Sequence, residues 1–551
     1  MKKITVALLC VLFLFAAEIF FYYLWFKKSG FYCVLINSDA HSLASLQFYR
    51  NVCLKAPFMA IIDSFFAPGY WPRLHYLFTA LFLNAFGRSY MSMAMVNTLY
   101  LLILMFAVFG ISLKITRNLF CAFLASFLVS VYPGITTFMR AYELPIGVIA
   151  FTSLALYFLL LSDYFRKSSY SVLFTVSFIL SMYSDRALPL LFIIGPLLLN
   201  IGKGLWASDK PTGRKRTILN LCFFLIVAGA VAGKFYGPWM QNILRKENLL
   251  ILFSVADTDG ATVVKEFLKF DSPFFLSRLF FYVIVLFTNH LGIFFFAFIF
   301  ATFLFFRSNC PDKTMLLLWA AVPFIVLTLI PKKDFSYSLP LLSPLAVMTA
   351  VGICSLKNNL ARIFSKVFII IFGILHFFAF MFFPEQARAS HLFNFNPSKD
   401  PTAAAVEYSS AGAESLFYSW FCANIIDIIP VNSESTIAVF KTARNVQGSI
   451  LGSLVLLCNP IADVVVLTSP YDYQALKFSD CDYLIIVGEE DFDVRGSLDK
   501  LRALVRSWAT LPQLSHITED SYASIDLSRC HLLVQKIHPL SHTKLEVYTI
   551  E

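Results

Sequence analysis

Eleven stretches of this chain are apolar for long enough to cross a lipid bilayer, and they constrain its fold more than any other feature. They lie at roughly 4–26, 91–113, 119–138, 144–162, 170–183, 187–201, 217–236, 279–306, 314–330, 339–355 and 363–383. A helical crossing needs about 20 mostly apolar residues. Of the 551 residues, 58% are hydrophobic and only 14% charged, and 61 are Phe. Soluble domains carry about 25% charged residues. An ordinary soluble enzyme, a disordered chain and a nucleic-acid module are therefore excluded. Lys2 and Lys3 precede the first stretch, and no small-residue cleavage site follows it, so it reads as a retained anchor.

Charge orients the bundle. With the N-terminus inside, the inner connections carry Lys114 and Arg117, Arg166 and Lys167, Lys203 with Lys210 and Arg214–Arg216, Arg307 and Lys313, and Lys357 with Arg362 and Lys366. Every one is basic, as the positive-inside rule requires. An odd number of crossings puts the tail outside. The expected organisation is a transmembrane part, 1–385, with a long first external loop at about 27–90, and an extracytoplasmic domain, 386–551. The first part carries a net charge of +17 and the second −7. The basic excess follows loops rather than one stripe, so nucleic acid is not implied. The eleven Cys are scattered without metal-ligand spacing. No Asn-x-Ser/Thr acceptor with an allowed middle residue occurs, which favours a bacterial inner membrane over a luminal eukaryotic one.

The tail reads as mixed α/β. Ser435–Phe440, Val464–Leu467 and Tyr483–Val487 are short β-branched runs bounded by turn residues. Leu498–Trp508 has helical spacing. His531–Ile537 and Lys544–Ile550 flank a polar turn and predict a terminal hairpin. The tail contains no glycine-rich phosphate loop and no nucleophile elbow.

Chemistry is expected where ionisable residues sit at membrane depth, because they are costly there. Asp39, in Asn37-Ser38-Asp39-Ala40-His41, follows the first crossing. Arg140 and Glu143 lie where the third crossing hands over to the fourth. Asp185-Arg186 and Lys332-Lys333-Asp334 occupy later turns. All fall on one expected face. A carboxylate there can act as a general base on a hydroxyl. Two carboxylates, Asp39 and Glu143, can instead hold a divalent metal cation, the one cofactor these residues suggest. Arg and Lys can neutralise a departing phosphate. Against these readings stand plain ones: a loop acid or helix cap for Asp39, interfacial solvation for Glu143, and snorkelling for the basic groups. Glu18, inside the first crossing, reads either as a hydrogen-bonded packing residue or as a partner of the cleft.

The order of these elements resembles the GT-C glycosyltransferases, in the branch of protein O-mannosyltransferases and lipid A aminoarabinose transferases. Asn37-Ser38-Asp39-Ala40-His41 stands where the family has its first acidic motif. Trp71-Pro72-Arg73-Leu74-His75-Tyr76-Leu77-Phe78, running on to Ala85-Phe86-Gly87, resembles the proline-leucine-aromatic element of the same loop. Glu143 fits the place of the second acid. Lys332-Lys333-Asp334-Phe335-Ser336-Tyr337-Ser338-Leu339-Pro340-Leu341-Leu342-Ser343-Pro344 is similar to the late basic-aromatic-Leu-Pro run. Two departures stand out. The partner carboxylate of the first motif is replaced by Ala40 or His41, and the usual double proline is reduced to Pro72.

The resemblance implies a polytopic α-helical GT-C-like bundle with an outer C-terminal α/β domain. It implies inverting transfer of a sugar, hexosyl or pentosyl, from a polyprenyl-phosphate donor to a hydroxyl on a lipid, glycan or protein. Asp39 would be the general base. Arg140, Arg186, Lys332 and Lys333 would bind the donor phosphate, and Asp39 with Glu143 any metal. His41, His75, Tyr76 and Tyr337 would shape the pocket. Two other classes stay open: a lipid-linked sugar flippase, which needs a path through the bilayer, and a noncatalytic assembly protein, in which Asp39 is dispensable.

Overall fold

The computed structural model describes residues 2–29, 38–50, 73–185, 188–206, 211–245, 280–330, 334–382, 436–441, 463–467, 483–489, 530–537 and 543–550. These fall into two compact units. One is drawn from 1–27, 65–75 and 94–404, the other from 28–64, 76–93 and 405–551.

The first unit is helical. In chain order the helices of the described residues are α1 (Lys2–Ser29), α2 (Ser38–Tyr49), α3 (Leu74–Phe86), α4 (Tyr90–Ala94), α5 (Val96–Thr116), α6 (Leu119–Val131), α7 (Pro133–Arg140), α8 (Pro145–Leu161), α9 (Ser168–Met182), α10 (Leu188–Trp206), α11 (Pro211–Arg245), α12 (Phe280–Leu291), α13 (Phe294–Arg307), α14 (Lys313–Leu329), α15 (Leu342–Cys354) and α16 (Asn359–Phe382). α2 and most of α3 and α4 belong to the second unit. α5 packs on α6 and α8, α8 on α9, and α13 on α15. A buried hydroxyl pair, Ser153 with Ser343 at 2.7 Å, ties α8 to α15. These central helices are buried almost all round, whereas α1 and α16 leave apolar side chains such as Phe13 and Phe364 exposed. In a bilayer that apolar exterior meets lipid tails at no cost.

Each expected crossing falls on a helix or a pair of helices, and two of them are not straight. The stretch 119–138 breaks into α6 and α7, bent by 53°. The cause is local: Tyr132 is extended ahead of Pro133, as a residue before proline prefers. The stretch 279–306, read as a single crossing, is α12 and α13, bent by 112°. The break falls at Gly292, whose φ of 54° and ψ of −133° suit a residue without Cβ. Among the described residues five helices are long and apolar enough to cross alone, and up to seven spans result if each bent pair counts as one. The apolar helices α8, α9 and α14 have 17, 15 and 17 residues. At 1.5 Å per residue a 17-residue helix reaches about 26 Å, short of the ~30 Å hydrocarbon core unless the bilayer thins.

The second unit contains a five-stranded sheet of order β2-β1-β3-β5-β4, with β1 Thr436–Lys441, β2 Asp463–Leu467, β3 Tyr483–Glu489, β4 Cys530–Ile537 and β5 Thr543–Ile550. β1 runs parallel to both β2 and β3, and β5 is antiparallel to β3 and β4. All five strands coincide with the expected runs, and β4 and β5 pair as the expected hairpin. A register shift between Leu532 and Val534 marks a bulge in β4. The helical stretch expected at Leu498–Trp508 lies outside the described residues.

Candidate active site

A buried polar cluster of the helical unit is built around the end of α7. This eight-residue helix starts on Pro133 and stops at Ala141, whose backbone is extended. Asn97, in the first turn of α5, fixes that end. Its Nδ2 donates to the carbonyl of Phe138 at 3.1 Å and to that of Ala141 at 2.7 Å. One amide thus satisfies two carbonyls that a helix terminus leaves open. Between them lies Arg140.

Arg140 is fully buried. Its Nε donates to the Thr136 carbonyl at 3.2 Å, and its guanidinium carbon lies 5.1 Å from the centre of the Trp25 ring. Glu143, three residues on, is also buried, at 5% exposure. Tyr142 between them packs its ring 4.6 Å from that of His75. His75 stacks in turn on Tyr100 of α5, with rings 5.7 Å apart and 26° from parallel, and its Nδ1 hydrogen-bonds the Tyr100 hydroxyl at 3.1 Å. The backbone amide of Leu74 donates to the carbonyl of Tyr183 at 3.3 Å. That bond fixes the start of α3 beside the turn carrying half-buried Asp185.

A second support comes from the 3-10 turn Phe335–Leu341. Phe335 stacks on Phe138 at 5.5 Å and 30°. Asp334 caps the turn, its Oδ1 accepting from the Ser336 amide at 2.8 Å and the Ser336 hydroxyl at 2.7 Å. The Asp334 amide donates to the Tyr282 hydroxyl at 3.4 Å. His290 of α12 lies 2.9 Å from the Phe335 carbonyl and 3.0 Å from the Ser338 hydroxyl through Nε2. A carbonyl only accepts, so Nε2 carries the proton. His290 also packs against α7 at Gly134, where a Cβ would fall 2.6 Å from His290 Nδ1. The turn that follows Lys332-Lys333 is thereby held to the Arg140 turn through α12.

The residues expected at the site are distributed as follows. Arg140, Glu143 and His75 gather in the helical unit, with half-buried Tyr337 on the adjoining 3-10 turn. His41 and Tyr76 meet in the second unit, where His41 Nδ1 lies 3.1 Å from the Tyr76 hydroxyl and both are buried. Asp39 stands in the first turn of α2, and its side chain lies outside the described residues, as do Arg186, Lys332 and Lys333. Glu18 is buried and accepts from the Ser130 hydroxyl of α6 at 2.6 Å, as its packing role requires. Asn97, Tyr142 and His290 were missed by sequence reasoning. A signal existed for Asn97 and His290, since each is a polar residue within an apolar run. Among the described residues no three of His, Cys, Asp and Glu gather as metal ligands. Glu143 is the described carboxylate of the expected pair.

No family model matches the chain, and no curated protein matches it in sequence. Solved structures do. ArnT from Cupriavidus metallidurans, bound to undecaprenyl phosphate, superposes over 98% of this chain and 97% of its own at 11% identity, with a TM-score of 0.55. The chain has the GT-C fold. The apo form of the same ArnT gives 12% identity and a TM-score of 0.53 over 97% of each chain. The oligosaccharyltransferase AglB from Archaeoglobus fulgidus, in complex with an inhibitory peptide and a dolichol-phosphate, gives 13% identity over 94% of this chain and 70% of its own, with a TM-score of 0.46. Within this GT-C fold the run of Arg140 to Glu143 is a buried, doubly anchored turn.

Proposed function

We propose that the protein transfers a sugar from a polyprenyl-phosphate donor to an acceptor hydroxyl at the outer face of the membrane, with inversion at the anomeric carbon. One observation carries the reading: a fully buried arginine, Arg140, and a buried carboxylate, Glu143, on one clamped turn of a GT-C fold. A buried charge without function costs stability. A fixed guanidinium in a site shielded from water is suited to the charge that grows on a departing phosphate.

In the proposed reaction Asp39 accepts the proton of the acceptor hydroxyl. The hydroxyl oxygen attacks the anomeric carbon from the face opposite the phosphate. The carbon–oxygen bond to the phosphate breaks, and polyprenyl phosphate leaves with the bonding electrons. Arg140, with Arg186, Lys332 and Lys333, stabilises the leaving anion. Glu143 orders this turn and, with Asp39, is where a divalent cation would be held. His75 and Tyr142 form an aromatic wall beside it, Tyr337 contributes to the pocket, and His41 with Tyr76 braces the segment that carries Asp39. The Phe-rich helices supply apolar surface for the polyprenyl chain.

The test is transfer in proteoliposomes loaded with a synthetic polyprenyl-phosphate sugar, followed by thin-layer separation of free polyprenyl phosphate. Asp39→Asn is expected to lower release by at least ~100-fold, the lower range for a general base, with normal expression. Full activity in that variant would remove Asp39 as the base. Movement of intact donor across the bilayer, without release of polyprenyl phosphate, would favour a flippase instead.

A further inference from the structure

Between α8 and α9 the chain turns through Asp163, Tyr164 and Phe165, all three with left-handed φ, at 51°, 59° and 64°. L-residues rarely adopt this conformation in succession, and Tyr and Phe have no local side-chain bond to offset it. The turn is held from neighbouring helices. Thr217 Oγ1 and Asn220 Nδ2 of α11 donate to the carbonyls of Tyr164 and Phe165, at 3.1 and 2.7 Å. Gly204 of α10 approaches so closely that a Cβ there would lie 2.7 Å from the Tyr164 carbonyl.

The strained turn brings two cations to the Tyr164 ring. The Arg166 guanidinium carbon is 5.6 Å from its centre and the Lys203 ammonium 5.5 Å. Two positive charges on one ring repel each other. In addition, Arg166 Nε is buried and has no hydrogen-bond partner among the described residues. Basic residues that only set topology would be hydrated and independent. These two are gathered by a costly backbone, and an unused buried donor lies between the helices.

From Lys203 an apolar groove of about 510 Å³ runs along α10, lined by Leu198, Leu199, Gly202, Lys203 and Trp206. Trp206 is 81% exposed. An anion fits the cations and a hydrocarbon chain fits the groove. A phosphodiester with acyl chains, at the boundary of a bilayer, has both.

We propose that this is a binding site for one anionic phospholipid, its phosphate held by Arg166 and Lys203 and an acyl chain lying along α10 beneath Trp206. Basic pockets between membrane helices favour anionic headgroups, and Trp favours the interface. Exposed Lys167, Arg214, Lys215 and Arg216 lie on the same connections but are open to water, where their charge is screened. The site is remote in sequence from the Arg140 turn and does not depend on the proposed transfer.

Native mass spectrometry of the full-length protein in neutral detergent tests the assignment. With phosphatidylglycerol and phosphatidylcholine added in equal amounts, one phosphatidylglycerol is expected to remain bound. The double variant Arg166→Gln/Lys203→Gln should weaken retention roughly thirtyfold, at about fivefold per cation. Arg166→Lys should keep most of it, Trp206→Ala should weaken it, and Arg214→Gln/Lys215→Gln should change it less than about threefold. The exposed Trp206 substitution gives a readable result even if the double variant unfolds. Three results would overturn the proposal: equal retention of the two lipids, equal loss in the 214/215 variant, or displacement of the lipid by glycerol phosphate alone at the same concentration.

Discussion

Asn97 has no reason in local propensity to sit in an apolar helix. Its amide bonds to Phe138 and Ala141 give the reason. Asn97→Ala removes the side-chain donor of the buried Ala141 carbonyl and leaves the Phe138 carbonyl with the 3.3 Å bond from the Ala141 amide, which should cost roughly 2 kcal/mol, read as a lower unfolding midpoint of the purified protein. Because it also frees the Arg140 turn, transfer should fall further than stability alone explains. Asn97→Asp should not rescue, since a carboxylate cannot donate to two carbonyls. At this scale the sequence was only half legible. Arg140 and Glu143 were singled out because charged groups beside apolar runs are conspicuous, and His75 only through the family resemblance. Tyr142 was passed over because an aromatic beside a membrane helix is ordinary. The pairing of His75 with Tyr100 spans 25 residues and leaves no local pattern.

Elements were more legible than their bends. Apolar runs show themselves because the bilayer leaves backbone groups no solvent, so the run must be helical. The strands were visible because β-branched clusters between polar turns have few other uses. The break at Gly292 was hidden by the Phe-rich sequence on both sides, which keeps its hydropathy through a 112° turn. The left-handed turn at Asp163–Phe165 was hidden too, because no glycine announces it and its support comes from α10 and α11. Helix contact gives a sharper prediction. A Cβ at Gly352 of α15 would run into the Ala301 carbonyl of α13, which is backbone and cannot rotate away. Gly352→Ala should therefore force the two helices apart and destabilise by roughly 1–3 kcal/mol. A lowered thermal midpoint with loss of the monodisperse detergent peak would register it. An unchanged midpoint would show that α13 and α15 do not approach so closely.

For the whole molecule, the organisation proposed from charge is a cytoplasmic N-terminus and an extracytoplasmic sheet domain in a bacterial inner membrane. Alkaline phosphatase fused after Glu551 should be active, and a fusion within the basic 307–313 connection inactive. The reverse pattern would invert the orientation and remove the outer-face transfer with it. The GT-C fold itself was legible from the order of short motifs, although none is specific alone and overall identity to ArnT is 11%.

The clamp on α7 has one more consequence. A single amide on α5 grips the backbone on both sides of Arg140. That guanidinium is therefore coupled mechanically to the long helix behind it. In the proposed transfer, the adjustment on donor entry or product departure would then come from the surrounding segments, with the buried arginine as the fixed reference against which they move.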